Sequence, residues 1–331
     1  MSFEGDPEAA RDIIQRHHHA ARVRLGCRAM GVDVSDSANS PRAGGYIFSD
    51  SAGGHPVVLY THDIYPWRYF NHAIVPGPAD GNAATLARAV TRRMLSEDRS
   101  ACFEVEIGVL TASMSAGSAV SEPTQLASSK LAPALAEWAS VLIRTGYSPI
   151  DELLVMGRSL SDTPLGTAGC APVPPKYRPG AVFKPGGYCI QTMNERDLSR
   201  QVSLHRRGFG VRKAASTNID RALLRTNLEG GVEYLWGVEE RSGQPIGSAA
   251  LFAIGDAAEL FALSVIPPHR NRGVGRMLVT GAMERAREAG CRLLYLQSAP
   301  GSIPTRLYRQ LGFEPLWYQV SFTSGANDHR I

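Results

Sequence analysis

The chain has 331 residues, a length that favours two domains over one or three. It is 44% hydrophobic and 20% charged, with a net charge of only +4 from 35 Lys+Arg against 31 Asp+Glu. These are ordinary values for a soluble globular chain, and so small a basic excess argues against a nucleic-acid binder. No apolar run approaches the roughly 20 residues of a membrane helix. The five cysteines (Cys27, Cys102, Cys170, Cys189 and Cys291) are scattered and lack CxxC spacing. That argues against a disulfide framework or a zinc site and fits a reducing cytoplasm. The opening MSFEGDPEAARD is acidic and polar, unlike a signal peptide.

In chain order, residues 7–30 read as a helix with Ile13, Ile14 and Val23 on one stripe. His17, His18 and His19 fall inside it and point in different directions, so they suit a solvated or partly packed face better than a metal site. Residues 45–48 and 56–60 read as a hairpin, followed by the aromatic stretch Trp67–Val75. His62, Asp63 and His72 lack a fourth partner and a diagnostic spacing, so no metal is expected there. A helix at about 82–97, a strand over Cys102–Val109, a polar loop at 110–130, a helix at 131–145 and a strand at 151–158 follow. The helix ends at Gly146, as helices commonly do.

Six prolines after Ser161 make 161–186 an extended linker, and the chain starts afresh at 187. A strand opens at Gly187–Ile190. Helices at 195–205 and 220–229 and strands at 232–239 and 246–254 come next. Then comes Glu259–Leu278, an apolar strand ending at Pro267-Pro268, a basic turn and the start of a helix. Val274, Met277, Leu278, Gly281 and Ala282 give that helix its apolar face. A strand at 291–297, a helix at 302–310 and a strand at 316–322 complete the chain.

The turn Arg270-Asn271-Arg272-Gly273-Val274-Gly275 carries the chemistry. A helix N-terminus offers unpaired amides and partial positive charge, and glycines let a phosphate approach the backbone. Arg270, Arg272 and Arg276 add charged donors. The natural guest is a pyrophosphate. The dinucleotide fingerprint fails because its third glycine would be Leu278, and the P-loop fails for want of G-K-[ST].

What remains resembles the acyl-CoA loop [QR]-x-x-G-x-[GA] of the GNAT superfamily of N-acetyltransferases. The order of elements over 187–323 and the segment Tyr308, Leu311-Gly312-Phe313 are similar to that family too. The resemblance implies an α/β (α+β) fold: a mixed, mostly antiparallel sheet flanked by helices. It implies acetyl-CoA or another acyl-CoA as co-substrate, bound by Leu263, Ser264, Val265, Arg270, Asn271, Arg272, Gly273, Val274, Gly275 and Arg276. In this family the strand at 263–265 pairs with the pantetheine arm through its backbone. Glu259, eleven residues before Arg270, stands where the family commonly places a general base, and Tyr308 where it places the acid that protonates the thiolate. The family's asparagine seven residues before the tyrosine is Gly301 here, which leaves that contact to Ser298 or Ser302.

The first half, with Phe70-Asn71 and the echo of the 302–322 segment at 131–158, is similar to tandem members of the family. Residues 1–160 are then a degenerate copy that neither binds CoA well nor catalyses but walls the acceptor pocket, and 187–331 is the catalytic domain. An unrelated α/β domain in the first half is the alternative. The expected activity is acetyl transfer to the primary amine of a small molecule by a cytoplasmic monomer or homodimer, with no metal, nucleic acid or membrane partner. The alternatives are a non-catalytic acyl-CoA-binding or regulatory protein, an O- or S-acyltransferase, and a malonyl-thioester decarboxylase.

Overall fold

The computed structural model describes residues 140–160, 186–211 and 217–323 without interruption. It also describes strands at 45–48, 57–60, 72–76 and 102–109, residue 88, and six residues of an N-terminal helical segment: Ala10, Ile13, Ile14, His17, Ala20 and Ala21. The linker from 161 to 185, the 110–130 loop, most of the 82–97 helix, and His18, His19, His62, Asp63, Phe70 and Asn71 lie outside the described residues.

The described strands are β1 (Gly45–Phe48), β2 (Val57–Tyr60), β3 (His72–Pro76), β4 (Cys102–Val109), β5 (Ser148–Ser159), β6 (Tyr188–Thr192), β7 (Val232–Glu239), β8 (Gln244–Ile254), β9 (Ala257–Val265), β10 (Leu293–Ser298) and β11 (Glu314–Thr323). The helices are α1 (Leu198–Phe209), α2 (Thr217–Glu229), α3 (Val274–Glu288) and α4 (Ile303–Gln310). From 187 onward the order is the one expected from the sequence, a mixed α/β arrangement of strands and helices. Among the described residues no helix is long and apolar enough to cross a membrane.

Contacts divide the chain into two compact units, each discontinuous in sequence. In one, comprising 22–156, 298–306 and 315–331, β1 and β2 form the expected hairpin with Ile47 opposite Val58. There β3 runs parallel to β4, and the last strand, β11, pairs antiparallel with β4, Phe322 opposite Phe103. A strand from the end of the sequence thus completes a ladder begun in its first third.

The other unit comprises 1–21, 157–297 and 307–314. Here β6, β7, β8 and β9 form an antiparallel meander. Glycines with left-handed backbone, Gly243 (φ 63) and Gly255 (φ 58), make its last two turns. The crossover through α3 brings β10 back parallel to β9.

Two layers of helix cover this sheet. On one face Val274, Met277 and Leu278 of α3 reach so close to the strands that a Cβ at Gly237 would collide with Val274. On the other face α1 is fastened by Gln201, a fully buried side chain. Its Oε1 accepts from the Trp236 indole at 2.6 Å, and its Nε2 donates to the Ser248 hydroxyl at 3.2 Å. Trp236 and Ser248 are register partners on β7 and β8, so one amide ties the helix to two strands. On that face Asn227 of α2 donates to the Tyr234 hydroxyl at 2.9 Å.

Gln201→Leu keeps the volume but strands the indole N–H in the core. The expected result is a loss of about 1–3 kcal/mol of unfolding free energy, read from urea titration with an unchanged slope. An unaltered midpoint would show that Gln201 is not what fastens α1.

Candidate active site

The parallel ladder between β9 and β10 is short. It runs from Ala257 opposite Leu293 to Leu260 opposite Leu296 and then stops, although β9 continues to Val265 and β10 to Ser298. On its other side β9 carries a bulge, where the pairing with β8 shifts between Ser248–Ser264 and Ala250–Phe261. Ala262, inside the bulge, has a left-handed backbone (φ 51), a conformation that disfavours any Cβ by about 1–2 kcal/mol. Past Leu260 the edge of β9 that faced β10 therefore lacks its ladder partner. Phe261, Ala262 and Leu263 are half-buried there.

Ser264 and Val265 differ from one another. The Ser264 side chain is buried against α1, where a Cβ on Gly208 would lie 2.5 Å from its Oγ, and that oxygen has no hydrogen-bond partner. The Val265 carbonyl already accepts from Arg270 Nε at 2.9 Å.

Beyond the strand a 3-10 turn at Pro267–His269 leads into the basic loop. Asn271 (φ 59) and Gly273 (φ 82) are both left-handed. Gly273 caps α3 without any side-chain bond, and the first intrahelical bond runs from Met277 N–H to Gly273 O at 2.9 Å. The amides of Val274, Gly275 and Arg276 precede that bond and point out of the helix end, where an anion is stabilised. A Cβ on Gly275 would meet only Leu307 of α4, at 3.6 Å.

The three arginines part company. Arg270 spends its guanidinium on protein, donating to Val265 O and, at 2.8 Å, to Gly208 O at the end of α1. Arg276 donates to Gln310 of α4 at 2.9 Å. Arg272 is exposed. Of the three arginines expected to face a phosphate, Arg270 and Arg276 therefore bond protein groups and join elements of the fold, and Arg272 does so in none of these bonds.

Tyr308 sits in α4, whose end is a left-handed glycine closure. Phe313 N–H bonds Tyr308 O at 3.0 Å, Gly312 N–H bonds Arg309 O, and Gly312 has φ 80. This folds Phe313 back onto the tyrosine ring, edge to face at 5.8 Å. Arg158 at the end of β5 caps the same turn through the Leu311 carbonyl. Tyr308 is 6% exposed, and burial pushes its phenol up to about 12, so it carries its proton throughout the neutral range. At the start of α4, Ser298, Ser302 and Thr305 form a ring of hydroxyl bonds of 2.9–3.2 Å, with Thr305 also donating to Ala299 O. The hydroxyls of Ser298 and Ser302, the two candidates for the contact left open by Gly301, thus already have protein partners.

Glu259 is no exposed strand start; it is 6% exposed and lies in the middle of a row. Phe252 on β8 and Tyr295 on β10 are its register partners on either side, so the three side chains share a face. His17 closes over them, buried, with Nδ1 2.8 Å from the Tyr295 hydroxyl and Nε2 2.9 Å from Phe252 O. This corrects the sequence reading of His17 as solvated or partly packed. The available signal was its place at i, i+3, i+4 and i+7 with Ala10, Ile13 and Ile14, all of them buried. Among the described residues no cluster of three or more His, Cys, Asp or Glu could hold a metal ion.

Arg270→Ala removes two charge-assisted bonds to main chain and is expected to lower the thermal midpoint by several degrees, whereas Arg272→Ala leaves it unchanged. Equal midpoints for the two variants would show that the clamp bears no load.

Comparison with known proteins agrees with this geometry. Residues 203–313 match the model of the acetyltransferase (GNAT) family. Among solved structures, a GCN5-related N-acetyltransferase from Kribbella flavida shares 17% identity at a TM-score of 0.52, over 86% of this chain and 91% of that one. A GCN5-related N-acetyltransferase from Sphaerobacter thermophilus shares 15% at 0.50, over 92% and 91%. A tandem GNAT protein from the clavulanic acid biosynthesis pathway, solved without AcCoA, shares 16% at 0.51, over 93% and 96%. At such identities the likeness is one of fold. Over residues 203–313 the chain is thus similar in sequence to the acetyltransferase (GNAT) family, whose members use acyl-CoA, and it is similar in fold to the GNAT proteins above.

Proposed function

We propose that this protein is an N-acyltransferase that moves an acetyl group from acetyl-CoA to the primary amine of a small molecule. The observation that carries the reading is the parting of β9 from β10 after Leu260, a few residues ahead of a glycine-opened helix N-terminus. An open strand edge suits the amides of a pantetheine arm, as an added strand would. The helix end suits a pyrophosphate. Both features belong to one continuous stretch, so a donor that joins the two chemistries fits it.

In this reading Leu263, Ser264 and Val265 offer main-chain groups to the arm, and one amide there steadies the oxyanion. Asn271, Gly273, Val274, Gly275 and Arg276 shape and supply the phosphate seat, with Arg272 adding charge. Glu259 takes the proton from the incoming ammonium. The freed nitrogen attacks the thioester carbon, a C–N bond forms, the C–S bond breaks and the nitrogen gives its second proton to water. Tyr308 hands its phenolic proton to the departing sulfur and recovers one from water.

Residues 187–331 are the proposed catalytic domain, and 1–160 a GNAT-like copy without its own acid. A second helix ends before β5 in the same closure, with Gly146 left-handed and Tyr147 N–H bonded to Leu142 O, but leucine stands where Tyr308 stands.

Release of free thiol from acetyl-CoA in the presence of a panel of amines, amino acids and aminoglycosides tests the reading. Tyr308→Phe is expected to lower kcat about 10- to 100-fold with little change in KM for the donor. With a phenol held up to about 12, its ionisation removes no activity below the strongly alkaline range. Glu259→Gln should flatten the acidic limb of the pH–rate profile. Tight CoA binding without turnover of any amine would overturn the proposal in favour of a non-catalytic acyl-CoA binder.

A further inference from the structure

The row Phe252–Glu259–Tyr295 crosses three neighbouring strands, with Glu259 in the middle. Its flanking residues are two strand spacings apart, roughly 10 Å. The His17 ring lies 5.9 Å from the Phe252 ring and 5.3 Å from the Tyr295 ring, edge-on to both at 77° and 82°. A ring that touches both flanks at those distances straddles the position between them, which is that of Glu259.

The hydrogen bonds fix the imidazole further. Phe252 O is a main-chain carbonyl and can only accept, so Nε2 carries a hydrogen. In neutral His17, Nδ1 accepts from the Tyr295 hydroxyl; in the charged form Nδ1 donates to it and the phenolic hydrogen turns elsewhere. Along this face of β8, β9 and β10 the alternating residues are Ala250, Phe252 and Ile254; Ala257, Glu259 and Phe261; Leu293, Tyr295 and Gln297. Glu259 and Tyr295 are the titratable groups among them. The described stripe neighbours of His17 on its own segment, Ala10, Ile13, Ile14 and Ala21, carry no charge.

We propose that His17 is a positioning residue and charge partner of Glu259, delivered by the N-terminal helical segment, which lies outside the stretch matched to the acetyltransferase family. A carboxyl and an imidazole buried in one row do not titrate independently; they take up and lose protons as a pair. His17 holds Tyr295 and Phe252, and so the walls around Glu259, while its own charge state answers to that of the carboxylate. The catalytic part of the inference rests on Glu259 being the base; the coupling of the two side chains does not.

Two measurements on the full chain test it. The first follows the His17 imidazole by NMR as pH is varied, assigned by its loss in His17→Gln, and compares wild type with Glu259→Gln. Loss of a neighbouring carboxylate is expected to lower the His17 midpoint by about one unit or more. A midpoint that stays put, or a ring that titrates in neither protein, overturns the proposal. This arm needs no turnover, so it stands even if acyl transfer fails.

The second arm compares pH profiles of kcat/KM for wild type, His17→Gln and Tyr295→Phe, the last retaining the ring and losing only the hydroxyl. The acidic limb is expected to move in both variants, with KM for acetyl-CoA within about twofold. If both profiles superpose on wild type while the thermal midpoint falls, His17 is only a packing residue and the proposal fails. If wild type shows no acyl transfer, the functional reading falls, and the NMR comparison alone decides the coupling.

Discussion

Everything proposed for the site depends on β9 leaving β10 after Leu260, and that departure works against the ladder. A strand buried between two neighbours gains a bond at each residue by staying paired, and Ala262 is pushed into a left-handed conformation that alanine resists. Such strain persists only where the surroundings over-determine it. Three features do so here. Gly208 lets α1 descend onto Ser264. A Cβ on Gly247 would come within 2.9 Å of Ser264 O, so β8 also needs its glycine at the bulge. Arg270 then pins the strand's last carbonyl to the end of α1. The bulge is held from both faces and from its exit.

The same surroundings explain why one sheet face is so polar beneath its helices. Gln201, Ser248 and Trp236 form one buried set, Asn227 and Tyr234 a second, His17, Tyr295 and the Phe252 carbonyl a third. A buried polar group without a partner costs about 1–3 kcal/mol, so each set fixes a helix in one registry on the strands far more narrowly than methyl groups would. The sets sit under α1, α2 and the N-terminal segment in turn. The opposite face, under α3, is apolar and shaped by glycines: Gly237, Gly247 and Gly281 admit Val274, Leu278 and Ile190. Precision is thus concentrated on the side where Glu259 lies.

What could be read from the sequence follows from the range of the forces involved. The glycine turn that opens α3 is legible because its signal is local: two glycines, a helix start and a strand ended by prolines. Glu259 and Tyr308 stand out only through the resemblance to the GNAT family, and the α3 stripe through its 3.6-residue period. His17 was missed because a helix pattern tells which face is buried but not what it meets; a histidine within an apolar stripe is a core position only if the sheet offers two partners. Arg270 looked like an anion ligand for a similar reason, since its two carbonyl acceptors lie five and 62 residues away. The pairing of β11 with β4 is a contact over more than two hundred positions, and no local pattern encodes it.

The two helix ends at Gly146 and Gly312 separate fold from chemistry. Both close with the same pair of backbone bonds, and each throws an aromatic residue, Tyr147 or Phe313, back toward the third residue from the helix end. α1 and α3 end on left-handed glycines too, with Val211 bonded to Arg206 O and Cys291 to Ala286 O. The closure is therefore a general solution for orphaned carbonyls and carries no function by itself. What distinguishes the end of α4 is the occupant of the position the aromatic covers. At 142 it is leucine, wholly buried; at 308 it is a phenol held in its protonated form by burial. The backbone supplies the same seat twice, and one side chain decides whether that seat can give up a proton.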